Sequence, residues 1–360
     1  MGSTGDETAR IPVLDISPSN TNGPKQLLDA ATKYGFVFIE NNETGIAVED
    51  IDHMFNLSKQ FFDSPVETKQ EVSINSNKAG KNHGWLSRGV ETLDPSTQKR
   101  PDVKEAFNIG EPLNNHLQQP LPHSLTPHTQ TILAFQANCL ALCQRLLHLF
   151  ATALDLDETW FTARHSHPGK PTGSLFRMLY YPRLETDDGT SAPNDDIRAG
   201  AHSDFGSLTL LFQQRGQPGL EIKTPSGEWA AVPVDPLGER PSPGGRDETM
   251  RQPRRALPIL VNIGDLLDDW TGGLLKSTVH RVIFPPGAGG GVDRYSMAYF
   301  CHPLDDALLE PVPSKLVQAH VERTGRSGAR EGRVMTARDH LMERLAATYT
   351  LEKSEMSGAL

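Results

Sequence analysis

The sequence predicts a mainly β protein with flanking helices, built on a double-stranded β-helix (jelly roll) core. Three observations carry that prediction. Between residues 172 and 310, short runs rich in β-branched and aromatic residues recur, each bounded by Gly, Pro, Asn or Asp. Before residue 160 the apolar residues instead recur at helical spacing. The 27 prolines and 31 glycines suit a chain with many turns rather than a helical bundle.

Taken in order, residues 11–17, IPVLDIS, read as a short strand after a polar leader. Helical spacing from Lys25 to Lys33 ends at Gly35, a C-cap candidate before the strand FVFIE. A second helix spans Val48 to Phe62, and Ser64-Pro65-Val66-Glu67 then offers an N-cap, a first-turn proline and a capping-box acid. From Thr129 to Leu154, residues such as Ile132, Phe135, Leu146, Leu147 and Phe150 share one broad face of a long helix. SLFRMLYYP, SLTLLFQQ, GLEIKTP, WAAVPV, LPILVNIGD, STVHRVIF and RYSMAYF are the expected core strands. Thr336 to Tyr349 returns to helix, with Thr336 and Asp339 placed to form a capping box. The expected organisation is one domain over 1–360: a mostly helical half (11–160), the core (172–310) and a C-terminal helix (336–349).

Composition narrows the function. The chain has 360 residues, 37% hydrophobic and 22% charged, enough for a large buried core. A net charge of −10 without a long basic tract argues against nucleic acid or an anionic membrane as partner. Apolar runs look too short for a membrane span. The start, MGSTGDETAR, lacks a secretory pattern, and Asp6 breaks the myristoylation pattern. Cys139, Cys143 and Cys301 predict no disulfide framework, and Cys139 and Cys143 read as small core residues, so a cytoplasmic location is expected. The segment Pro236 to Ala256 interrupts the core. Its five arginines against three acids give a local excess of two positive charges, read as a solvated loop.

Three distant fragments carry the chemistry. In AGAHSDFGSLTLLF, His202 and Asp204 stand two apart, so in an extended strand both point to one side with Ser203 facing away. His280, in KSTVHRV, must come from a facing strand. Two imidazoles and one carboxylate leave adjacent coordination positions free, the open face of a non-haem Fe(II) site rather than a closed zinc site. Of the remaining histidines, His123, His128 and His340 read as surface residues, and His165 and His167 as loop residues.

Arg294 and Ser296, in DRYSMAYF, also stand two apart and can share an inward face. A guanidinium fork matches a carboxylate bidentately, and a buried arginine needs an anion. Tyr181, in LYYP, can add a phenol donor.

With these residues in place, the chain resembles the iron(II)/2-oxoglutarate-dependent dioxygenases of the isopenicillin-N-synthase-like group, over nearly its whole length. GSLTLLFQ, NIGDLL, KSTVHRV, RYSMAYFCHP and RLAATY look most like the fungal thymine 7-hydroxylase-like branch. The resemblance implies that His202, Asp204 and His280 bind Fe(II). It implies that Arg294 and Ser296 hold the distal carboxylate of 2-oxoglutarate, with O2 as second cosubstrate. The implied reaction is hydroxylation or another oxidation of a small molecule (desaturation, ring closure or ring expansion) with release of succinate and CO2, expected within fungal secondary metabolism. Leu179 stands where plant members often carry Asn, and Phe205 where close relatives often carry Tyr.

Phe205, Arg177, Phe300 and Trp85 are the candidate substrate-pocket residues: Phe205 and Phe300 adjoin motif positions, Arg177 precedes LYYP, and Trp85 lies in the helical half that the resemblance brings to the cavity mouth. Two other readings stay open. One is an Fe(II) oxidase of the isopenicillin N synthase type, in which the Arg-x-Ser pair holds a substrate carboxylate; the other is a pyrimidine (thymine) 7-hydroxylase. A non-catalytic jelly-roll binding protein is the third class.

Overall fold

The computed structural model describes residues 8–76, 82–91, 93–94, 102–183, 197–238, 255–283, 292–326 and 334–348. Most of the Pro236 to Ala256 segment, the GAGGG turn and Tyr349 lie outside them. Strands β1 (Val13–Leu14), β2 (Phe36–Ile39), β3 (Gly84–Leu86), β4 (Glu105–Gly110), β5 (Leu175–Tyr181), β7 (Leu208–Gln213), β10 (Ile259–Ile263) and β12 (Arg294–Cys301) form an eight-stranded sheet in the order β1-β2-β10-β7-β12-β5-β4-β3. Strands β6 (Ile197–His202), β8 (Leu220–Lys223), β9 (Trp229–Ala231) and β11 (His280–Ile283) form a four-stranded sheet in the order β6-β11-β8-β9. The helices are α1 (Gly23–Lys33), α2 (Val48–Phe62), α3 (Val66–Gln70), α4 (Thr129–Ala153), α5 (Thr162–His165), α6 (Asp265–Trp270), α7 (Lys315–Thr324) and α8 (Ala337–Thr348). The result is a mainly β core of two sheets with flanking helices, as the texture of the sequence predicts.

The period-two alternation of the large sheet builds two cores. Met297, Tyr299 and Cys301 of β12 face the helices together with Phe176, Met178, Leu208, Leu210 and Phe212. Ala298 faces the other way, where Leu179, Leu220, Ile222, Leu260 and Val282 fill the space between the sheets. That inner space holds the candidate site residues, so register errors of one residue would turn them out of it. Helix α4 closes the outer core, with Phe135 set against Phe176 and Phe212 at 5.4 and 5.3 Å between ring centroids. Residues 126–153 are in fact long and apolar enough to cross a membrane, which corrects the reading of the apolar runs; here Phe135, Cys139, Leu146 and Phe150 pack into the core beneath the sheet. Cys139, Cys143 and Cys301 are free and buried.

The local signals behave unevenly. Gly35 follows α1 with φ +67°, and a Cβ there would lie 2.2 Å from the Lys276 carbonyl oxygen, so both conformation and space select glycine. Thr336 and Asp339 form both bonds of the capping box at 3.1 Å. The Ser64 box does not form: Pro65 occupies the cap position and Ser64 Oγ donates back to the Gln60 carbonyl instead. Strands β3, β4 and β6 are additions to the predicted set. EAFNIG of β4 hides its strand character behind Glu105, whose buried carboxylate is neutralised by Lys69 Nζ at 2.8 Å. IRAGAH of β6 carries the small, weakly β-prone run Ala199-Gly200-Ala201 and is extended where β11 pairs with it.

Two histidines depart from the expected exposure. His340 is buried on α8, with Nε2 3.4 Å from Asp269. His165 is fully buried at the end of α5, Nδ1 donating to the Phe161 carbonyl at 2.7 Å and Nε2 accepting from Ser207 at 2.8 Å. Both ring nitrogens are thus served by the neutral imidazole. Burial pushes His165 down to about 4, and burial with the neighbouring His340 and His165 pushes His302 down to about 3.

Because these two pKa values fall below the unfolded value of roughly 6.5, the unfolded chain takes up protons first as pH drops. The associated stability is complete above pH of about 6.5 and is lost progressively towards the folded values. At a pH of about 5.5 each buried histidine should cost about 1.4 kcal/mol. Urea unfolding at neutral and mildly acid pH checks this: His165→Gln should show a flatter pH dependence than the native chain, and an equal slope would contradict it.

Candidate active site

The cross-strand register brings the three candidate ligands together. His280, the first residue of β11, pairs directly with His202, the last residue of β6. Their rings lie 4.3 Å apart between centroids at 55°. Asp204 follows β6 by two residues and brings Oδ1 to 4.0 Å from His202 Nε2 and 3.7 Å from His280 Nε2. One ligand atom from each residue fits within 4.8 Å of the others, and this is the only such His/Cys/Asp/Glu group among the described residues.

Each of the three side chains is held by its second polar atom. His202 Nδ1 donates to the Gly200 carbonyl at 2.7 Å and His280 Nδ1 to the Thr278 carbonyl at 3.2 Å. With the proton on Nδ1, each Nε2 lone pair is left facing Asp204. Asp204 Oδ2 accepts from Thr209 Oγ1 and Asn262 Nδ2, both at 2.7 Å, which aims Oδ1 at the imidazoles. Burial, then the adjacent His280, pushes His202 down to about 4. Burial pulls Asp204 upward, but His280, His202 and the bonds from Asn262 and Thr209 outweigh it and hold the carboxyl below its usual range. A neutral imidazole and an ionised carboxylate at neutral pH are the forms a metal takes. The residues present therefore fit a divalent cation with an open face.

Arg294 lies across the same cavity on β12, 1% exposed. Its Nη1 donates to Ser296 Oγ at 3.1 Å, and its guanidinium sits 5.0 Å over the ring of Tyr181, its register partner on β5. Among the described residues no carboxylate pairs with it, and its Nε has no partner. Burial lowers its pKa while Tyr181 opposes the shift. A buried guanidinium without a counter-ion is costly, and its donor fork matches a carboxylate bidentately.

One cavity joins the two groups: His202, Asp204, His280, Arg294, Ser296 and Tyr181 all line it, and so do Phe205, Arg177 and Phe300. Arg177 is already committed, with Nε donating to Asn108 Oδ1 at 2.7 Å and Nη2 3.3 Å from Glu91. Phe205 is covered by Arg344 of α8, whose guanidinium lies 5.0 Å from the ring centroid. Trp85 is corrected. It does not line the cavity but belongs to the outer core, its Nε1 donating to Glu105 at 2.9 Å.

Several lining residues went unread in the sequence. Lys104 and Glu91 come from the N-terminal half, Thr209 and Asn262 from core strands, and Leu341 and Leu345 from α8. Thr209 and Asn262 carried one signal, a polar residue in an otherwise apolar strand. Lys104, in PDVKEAF, carried none.

Comparison with known proteins agrees with this geometry. Residues 172–303 match the 2OG-Fe(II) oxygenase superfamily, and residues 11–129 match the N-terminal domain described as non-haem dioxygenase in morphine synthesis. A UPF0676 protein of Schizosaccharomyces pombe is 35% identical, covering 84% of each chain. The proline hydroxylase buaE of Petromyces alliaceus is 29% identical over 90% of this chain and 93% of its own. Among solved structures, the full-length thymine 7-hydroxylase of Neurospora crassa in complex with alpha-KG and thymine superposes with a TM-score of 0.72 at 27% identity, covering 96% of this chain and 98% of that one.

Two substitutions test the cation site. Asp204→Ala should abolish tight uptake of Fe(II) by the metal-free protein under anaerobic dialysis. Thr209→Val frees Asp204 Oδ2 on one side and should weaken uptake roughly 10-fold. Native affinity in either variant would argue against the site.

Proposed function

Since the chain belongs to the 2OG-Fe(II) oxygenase superfamily and is a 2-oxoglutarate-dependent dioxygenase, we propose that His202, Asp204 and His280 hold its iron and that Arg294 and Ser296, backed by Tyr181, hold the distal carboxylate of 2-oxoglutarate. One observation carries the second half: a fully buried guanidinium that has no carboxylate among the described residues faces the cavity that His202, Asp204 and His280 line. With iron and 2-oxoglutarate bound, the centre supplies oxidative decarboxylation to succinate and CO2 coupled to oxidation of a neighbouring substrate.

The chain's own contribution is orientation and exclusion of water. The Gly200 and Thr278 carbonyls fix the protonated nitrogen of each imidazole, and Thr209 with Asn262 fixes the carboxylate. Leu179, Leu211, Phe300, Leu341 and Leu345 give the cavity an apolar wall that keeps water from competing with the reacting atoms. The substrate is a small molecule, and the wall that pairs these leucines with Arg177 and Glu91 suits one with an apolar body and a polar edge. The similarity to fungal enzymes such as the proline hydroxylase supports hydroxylation in natural-product tailoring. The thymine complex of the Neurospora relative supports pyrimidine hydroxylation as the second reading, with Phe205 here contributing a ring but no hydroxyl. Three free buried thiols support a reducing compartment such as the cytoplasm.

The test is succinate release in the presence of Fe(II), O2 and a panel of small molecules. Arg294→Ala should raise the 2-oxoglutarate requirement by about 10- to 100-fold, the value of charge-assisted hydrogen bonds, while Fe(II) remains bound. Substrate turnover without succinate would instead point to the Fe(II) oxidase reading.

A further inference from the structure

β6 is the least supported element of the site. Among the described residues it is the edge of its sheet and pairs with β11 alone. Its ladder has register shifts on both sides of Val282, and Gly200 falls between the paired positions Ala199 and His202. Yet the Gly200 carbonyl is the group that orients His202. A strand that must hold an imidazole to a fraction of an ångström is therefore fixed by a ladder that skips the residue doing the holding.

The missing support comes from the other half of the chain. Asp102 Oδ1 accepts from the Gly200 N–H at 3.1 Å, a buried bond between residues 98 apart in sequence. Asp102 is 1% exposed, and such a carboxylate needs compensation. Lys104 provides it: its ammonium bonds Asp102 Oδ2 and lies 3.1 Å from Glu91. Burial opposes the charge on Lys104, but Glu91 and Asp102 more than offset it and keep the ammonium protonated. A continuous path thus runs from Lys104 through Asp102 and the Gly200 backbone to His202 Nδ1. Each hydrogen-bonding group along it meets a partner of the opposite kind.

We propose that Asp102 is a positioning residue for His202, clamping the Gly200 backbone so that His202 Nε2 points at the iron position. This rests on the reading of His202, Asp204 and His280 as iron ligands. Its chemistry is that of an outer-shell carboxylate on a metal-bound histidine, with one backbone residue interposed. Lys104 is the counter-ion of the buried clamp carboxylate. Arg177, through Glu91, continues the same network along the substrate cavity.

The test separates the clamp from simple charge balance. Metal-free full-length protein is titrated anaerobically with Fe(II), with bound metal measured after dialysis and folding followed by circular dichroism and thermal melting. Asp102→Asn keeps an acceptor oxygen for Gly200 but not the charge, and should bind Fe(II) within about threefold of the native chain even if it melts lower. Asp102→Glu keeps the charge beside Lys104 but moves the carboxylate off Gly200, and should weaken Fe(II) binding by about 10- to 100-fold. Asp102→Ala should weaken it at least as much; if that variant does not fold, the Asn and Glu variants decide the matter. Native affinity in Asp102→Glu, or equal loss in Asp102→Asn and Asp102→Glu, overturns the proposal. A native chain that takes up no Fe(II) overturns the ligand assignment beneath it, which the same titration shows before any variant is compared.

Discussion

The pairing of His202 with His280 across β6 and β11 is the contact on which the site depends. It places two imidazoles 4.3 Å apart between ring centroids, where a charge on either would be opposed by the other. Burial and mutual proximity keep His202 neutral, and the nearby Asp204 makes the cluster a net anionic cradle. A divalent cation held by these three residues would balance it. The fold therefore carries a charge arrangement completed by a ligand rather than by itself.

The same logic governs the inner cavity as a whole. Polar groups turned inward are either matched by protein partners or grouped where a ligand can match them. Lys104, Asp102, Glu91 and Arg177 are matched among themselves. Arg294 has no carboxylate partner among the described residues, and in the proposed function a ligand anion supplies it. The contrast between paired and unpaired buried charge distinguishes a wall from a binding site more sharply than the shape of the cavity does.

The N-terminal half also does more than buttress the sheet. β3 and β4 extend the large sheet, and the segment between them brings Glu91, Asp102 and Lys104 to the cavity and to the backbone of β6. Helix α8 adds Leu341, Leu345 and Arg344. The site is consequently assembled from segments far apart in the chain, although His202, Asp204 and His280 lie in and beside the core strands.

What the sequence alone determined follows from local periodicity and side-chain chemistry. The two-residue spacing of Arg294 with Ser296 was legible because strands alternate faces, and the core strands and long helix were legible from their apolar repeats; Asp204 instead lies beyond the end of β6, its carboxylate held by Thr209 and Asn262. Tertiary structure decided what depends on partners distant in the chain. β6 is a strand because β11 pairs with it, β4 because β5 and β3 pair with it while Lys69 pairs with the buried Glu105, and His165 is a core residue because Ser207 and Phe161 satisfy its ring. Trp85 left the cavity because Glu105 supplied an acceptor for its indole in the outer core. Asp102 and Lys104 had no local signature at all, since a buried ion pair and a bond to a backbone N–H 98 residues away are encoded by packing, not by spacing.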